Sequence, residues 1–141
     1  MRPGEARTGR CQCGAVRYQV AGPLRQVVAC HCSQCRRITG HYMAATAARR
    51  AHFTLTRADG LRWYGSSSEA RRGFCGECGS TLFWEPHGRD YISIAAGTLD
   101  DGAGLKIVCH IFAADKGAYY DIDPGAKQVP DGEFSVPLPA A

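Results

Sequence analysis

Seven of the eight cysteines in this chain of 141 residues come in close-set groups, and that grouping limits its fold more than any other feature. Cys11-x-Cys13 is a pair, Cys30-x-Cys32-x-x-Cys35 a triplet and Cys75-x-x-Cys78 a second pair; Cys109 stands alone. Two pairs complete a four-thiolate metal site, whereas a triplet leaves a tetrahedral metal one ligand short. Closed zinc sites hold structure, and open ones can do chemistry. The spacing therefore points to one scaffold metal and one working metal.

The length suits a single domain that buries a real core, so cysteines are not needed merely because the chain is small. The stretch from Met1 to Gly9 has no apolar signal-peptide core, and no apolar run approaches the ~18 residues of a membrane span. The expected location is cytoplasmic, with no membrane partner. Thiols stay reduced there, and close-set cysteines read as metal ligands or redox groups before they read as disulfides.

The formal charge is +4. Zinc on four thiolates carries about −2 and zinc on three about −1, so filling both sites lowers the total to roughly +1. The arginines are scattered or paired, as in Arg36-Arg37, Arg49-Arg50 and Arg71-Arg72, and read as solvated surface. Nucleic acid is not an expected partner.

Most of the chain reads as short strands. Val16, Tyr18 and Val20 alternate with Arg17 and Gln19, which predicts a half-buried strand. Further strands are predicted at 26–29, 41–46, 52–56, 61–64, 68–74, 81–84, 91–95 and 106–112. Ser33 to Thr39, leaving the triplet, is a short helix candidate, and Leu99 to Gly102 reads as a turn. Residues 1–8 are expected to be loose, 9–123 to form one mainly β domain, and 124–141, rich in proline, to form a tail packed on it.

Cys75-Gly76-Glu77-Cys78-Gly79 has the form of a zinc knuckle: two intervening residues let both sulfurs reach one metal, and the glycines admit the tight turn. The knuckle needs two more ligands, which Cys11 and Cys13 can supply. Cys30, Cys32 and Cys35 then remain as a unit. Their fourth position is open, or closed by Cys109 or by one of His31, His41, His52, His87 and His110. Cys32-x-x-Cys35 also has redox spacing. Cys109 reads as a small buried hydrophobe sharing a strand face with Ile107 and Ile111.

Three segments together resemble the glutathione-dependent formaldehyde-activating enzyme family, whose domain also occurs in centromere protein V. They are Gly9-Arg10-Cys11-Gln12-Cys13-Gly14-Ala15-Val16-Arg17-Tyr18, Cys30-His31-Cys32-Ser33-Gln34-Cys35-Arg36 and Arg72-Gly73-Phe74-Cys75-Gly76-Glu77-Cys78-Gly79-Ser80. His110-Ile111-Phe112 with Asp115-Lys116 resembles a later motif of the same family. The resemblance implies a β-tent, built of small antiparallel sheets around a structural zinc. It implies that Cys11, Cys13, Cys75 and Cys78 hold that zinc and that Cys30, Cys32 and Cys35 hold a second, catalytic one. It implies a carbon–sulfur lyase that joins glutathione, or a similar small-molecule thiol, to formaldehyde as S-hydroxymethylglutathione. In that chemistry a proton carrier is needed, with His31, His41 and His110 as candidates, and Arg36 and Arg37 can meet a substrate carboxylate. The alternative from another class is a zinc-stabilised binding or scaffold module without turnover, in which a protein ligand closes the triplet.

Overall fold

The structure, a computed structural model, describes residues 6–133 and 136–140. Residues 1–5, 134, 135 and 141, which belong to the expected loose N-terminus and tail, lie outside the described residues. Arg7 and Thr8 were also expected to be loose, but they begin a strand, β1 (Arg7–Arg10). It pairs antiparallel with β2 (Arg17–Val20), from Arg7 opposite Val20 to Arg10 opposite Arg17. The ladder's backbone hydrogen bonds outweigh the polar composition of the segment.

A second partner of β2, β5 (Phe53–Arg57), completes a three-stranded sheet in the order β1-β2-β5. The larger sheet has seven strands. They are β3 (Val27–Cys30), β4 (Met43–Arg49), β6 (Leu61–Tyr64), β7 (Ala70–Cys75), β8 (Thr81–Pro86), β9 (Tyr91–Ala95) and β10 (Ile107–Ile111), in the order β10-β3-β4-β9-β8-β7-β6. The only α-helix among the described residues is α1 (Ser33–Thr39), where the sequence places it. It ends at Gly40, whose φ of 83° and backbone N–H to the Arg36 carbonyl make a left-handed cap. A 3-10 turn occupies Ala96–Thr98, just before the turn expected at 99–102.

The mainly β class stands, with one departure from an all-antiparallel plan: β10 lies parallel to β3. These strands are distant in sequence, so no tight hairpin dictates their direction. A register shift between Ile107 and Cys109 turns Ile107 outward, away from the face it was expected to share. Cys109 is fully buried with Val28 and Ile111, as a small hydrophobe should be.

The main core sits between the two sheets. Tyr18 and Val20 of β2 meet Leu82 and Phe83 of β8 and Ile92 and Ile94 of β9, all buried. The Tyr18 and Phe83 rings meet edge to face at 5.5 Å, and Phe53 packs against both. Cys11 and Cys75 belong to this same cluster, so the paired cysteines grow out of the core. Past β10 the chain returns along it: His110 bridges Gln128, and Val129 packs on the Cys109 cluster.

Arg71 faces Glu85 across β7 and β8, stacks over Trp63 and donates to the Glu85 carboxylate, which also accepts from Arg50. Burial raises the Glu85 pKa, but the two arginines outweigh it and hold it below its usual 4.5. A depressed carboxylate stabilises the fold above the unfolded pKa, and that contribution is lost as the pH falls through the folded one. Glu85→Gln is expected to cost about 1 kcal/mol at pH 7, because both arginines are partly exposed. The gap to the parent should close as the pH drops below 4.5. Urea unfolding of both proteins across that range checks it; a gap that widens in acid would contradict the assignment.

Candidate metal centres

The first cysteine pair lies on the turn between β1 and β2. Its backbone closes through Cys11 N–H to Val16 O and Gly14 N–H to Cys11 O, while Val16 N–H donates to the Cys11 sulfur at 3.3 Å. The second pair begins at the last residue of β7. Gly79 N–H donates to Cys75 O and Cys75 N–H to Ser80 O, which folds the knuckle. The Ser80 hydroxyl ties the turns together: it accepts from Gln12 N–H at 3.0 Å and lies 3.2 Å from the Cys78 sulfur. That hydroxyl first, then the backbone N–H groups of Ser80 and Cys13, draws the Cys78 thiol down to about 5.

The four sulfurs lie within 4.8 Å of one another, with Cys11 and Cys13 at 3.7 Å and Cys13 and Cys75 at 3.8 Å. Zinc–sulfur bonds of about 2.3 Å in a tetrahedron put sulfurs about 3.8 Å apart. The two pairs converge with the spacing that one tetrahedral metal requires.

Gly60, which the sequence reading did not single out, clamps both turns. Its N–H donates to Ala15 O, and its carbonyl accepts from Gly76 N–H at 2.7 Å. A Cβ here would stand 2.8 Å from the Cys75 sulfur and 2.8 Å from the Ala15 Cβ. Gly60→Ala is therefore expected to push Cys75 aside and weaken metal retention at this group about tenfold or more. Chelator competition measures it; unchanged retention would show that the turn yields instead.

The triplet lies at the end of β3 and the start of α1. Cys32 is the N-cap of α1, and its sulfur accepts from Cys35 N–H at 3.3 Å. Cys35, in the first turn, is buried over Met43 and Ala45. The three sulfurs again lie within 4.8 Å of one another. Among the described residues no histidine, carboxylate or further cysteine joins either group. The thiols compete for protons: hydrogen bonds from Cys30 and Cys35 pull Cys32 far down, while Cys32 and Cys35 push Cys30 far up. Three sulfurs so close cannot all ionise unless a cation offsets them. The donor set therefore fits a soft divalent metal such as zinc.

The histidines named as proton carriers assemble elsewhere. His31 is fully buried, with Nδ1 on the Tyr120 hydroxyl and Nε2 at 2.9 Å from His110 Nδ1. His41 Nδ1 meets the Tyr119 hydroxyl, and Tyr42 packs against both His31 and His41. Burial first, then the nearby His110, His41 and Lys116, pushes the His31 imidazole down to about 4. His31 thus keeps a neutral ring engaged with Tyr120 and His110. Arg36 is half-buried and Arg37 exposed.

Arg71 and Arg72 are not the solvated pair that the sequence suggested. Arg71 is the stacked partner of Glu85. Arg72 is only 6% exposed, and its Nη2 donates to the Cys35 sulfur at 3.4 Å. Beside it opens a groove of about 250 Å³, walled by Ile38, Tyr64, Phe74 and Thr81 and touching Arg72 itself. In β7, Arg72 shares the face of the buried Ala70, while Arg71 lies on the other; that alternation with Ala70 was the signal that could have placed Arg72 inward.

Residues 6–115 match the family of the glutathione-dependent formaldehyde-activating enzyme, about three-quarters of the chain. The chain belongs to this family. A crystal structure of a Rhodobacter sphaeroides protein is also similar, with 27% identity and a TM-score of 0.55, over 70% of this chain and 90% of that one. The family match spans both cysteine groups, so the metal-binding geometry lies inside the shared domain. No helix of the described residues is long and apolar enough to cross a membrane.

Proposed function

We propose that this protein is a zinc-dependent carbon–sulfur lyase of the S-hydroxymethylglutathione synthase type, acting on a glutathione-like thiol and an aldehyde. The observation that carries the reading is a three-sulfur group that no fourth protein donor joins among the described residues, bonded to Arg72, which also lines a groove. A scaffold module would need that fourth donor. Cys11, Cys13, Cys75 and Cys78 would hold a structural zinc, and Cys30, Cys32 and Cys35 a catalytic one. A cytoplasmic location, where thiols stay reduced, goes with this reading.

The zinc would supply a soft site that keeps a small thiol ionised near neutral pH. The chain's residues supply position. Cys30, Cys32 and Cys35 set the open direction, and Ile38, Tyr64 and Phe74 give the substrate apolar walls that limit its motion. In the forward direction the thiolate sulfur attacks the carbonyl carbon and a C–S bond forms. The carbonyl π pair moves to oxygen, which takes a proton from water. The reverse step breaks the C–S bond of the hemithioacetal and returns the thiolate. The Tyr120–His31–His110 chain holds the residue between Cys30 and Cys32 in place in this reading.

The test combines metal counting with a thiol–aldehyde rate. Two zinc ions per chain, a rate above that of buffer, and loss of the excess rate in Cys32→Ser are the expected results. One zinc per chain with a reversible Cys32–Cys35 disulfide would favour a redox pair. Two zinc ions with no rate above buffer would favour the scaffold.

A further inference from the structure

Arg72 carries a full positive charge into a site 6% exposed to solvent. Burying a guanidinium is costly unless an anion meets it. The ion pairs among the described residues are Arg49–Asp90, Arg50–Glu85, Arg57–Asp59 and Arg71–Glu85, so none supplies Arg72 with a carboxylate. Its partners are the Gln34 side-chain oxygen, 2.9 Å from Nε, and the Cys35 sulfur, 3.4 Å from Nη2. Gln34 is held in turn, its amide donating to Ser66 O at 3.1 Å. The guanidinium is thus aimed at the sulfur from β7, through a chain that crosses from α1 to the loop before β7. The available anion is the cysteine group itself.

We propose that Arg72 is the counter-charge of the Cys30–Cys32–Cys35 centre and the residue that lets it accept a fourth thiolate. The inference rests on the two-metal reading above. Three thiolates on a divalent ion total about −1, which Arg72 neutralises; a fourth thiolate brings the centre to about −2, and Arg72 halves that excess. Arg72 also forms part of the groove wall, so its charge reaches a space that a small molecule can enter. Arg72 is a positioning residue, acting on the substrate through the metal centre rather than on the reacting carbon. The neighbouring Arg71 cannot substitute, because it points to the opposite face of β7 and is engaged by Glu85 and Trp63.

The full chain loaded with cobalt(II) reports this without turnover, through the thiolate-to-metal absorption of each site. Arg72→Met keeps an unbranched apolar stem and removes the charge. It is expected to weaken cobalt affinity at the triplet about 10–100-fold and leave the Cys11/Cys13/Cys75/Cys78 site unchanged. The 2-mercaptoethanol concentration that shifts the triplet band should rise about tenfold or more. Arg72→Lys should recover most of the affinity, since it restores charge without the planar fork. Gln34→Leu, which leaves the charge but frees its anchor, should give an intermediate loss and serves if Arg72→Met does not fold. Unchanged triplet affinity in Arg72→Met overturns the proposal. Equal losses in the Met and Lys variants overturn it too, since packing and not charge would then be the cause. Failure of the thiol–aldehyde rate with these shifts intact would reject the enzyme reading alone.

Discussion

Cys75→Ser is expected to leave the chain unfolded at room temperature. Cys75 is fully buried, opens the second pair and belongs to the main core with Cys11. Structural zinc sites contribute roughly 10–16 kcal/mol of apparent folding free energy, as much as the whole net stability of an ordinary domain, about 5–15 kcal/mol. A serine hydroxyl is a poor zinc ligand and would sit in an apolar, buried cluster. The three remaining thiols would be left crowded with no cation to offset them. Loss of β-sheet circular dichroism, with less than one zinc per chain, is the expected record. A cooperative transition within about 5 °C of the parent, a shift worth only one or two kcal/mol, would contradict a structural role.

Cys32→Ser should do the opposite: hold the fold and lose the chemistry. Cys32 is half-buried and packs only at the edge of a small cluster with Cys35, Met43 and Ala45, apart from the main core. As the N-cap of α1 it accepts the Cys35 N–H, and serine is among the best residues for that place, so the helix keeps its cap. Metal content should fall from two zinc ions to one. The thiol–aldehyde rate should fall to that of buffer, while the melting temperature moves by no more than about 5 °C. The uncatalysed addition is fast enough that the comparison must be made against buffer. A variant with one zinc and the parent's rate would remove the triplet from the reaction.

The contrast between these two substitutions was legible before any coordinates. Cysteine spacing separates a pair, a triplet and a pair, and tetrahedral ligation leaves few ways to combine them without splitting a group. The strands were legible for the same kind of reason. Tyr18 and Val20 alternate with Arg17 and Gln19, and a period of two survives there because β2 buries one face. Where local pattern and tertiary pairing disagree, pairing wins. Arg7 and Thr8 look like loose polar chain yet form β1, because the edge of β2 offers them a ladder. Ile107 was expected inside and lies outside, because a register shift in β10 rotates it.

The candidate site divides along the same line. The sulfurs are a local matter, set by turns of three or four residues, so sequence alone names Cys30, Cys32 and Cys35 as a unit. Their surroundings are not local. Arg72 lies 37 positions from Cys35, and nothing in the doublet Arg71-Arg72 says which guanidinium is solvated and which is buried against a thiol. Only the pleat of β7 turns one toward Glu85 and the other toward α1 and the sulfur. Gly60 is similar: an ordinary turn glycine in sequence, it touches Ala15, Gly76 and Cys75 only once both cysteine turns have docked. His31 was weighed as a ligand because it sits between two cysteines, and the fold gave its ring to Tyr120 and His110 instead. Sequence by itself determined which atoms can bind metal, because ligand spacing is short-range geometry. The tertiary structure alone decided what charge faces those atoms, because that depends on how distant strands pack.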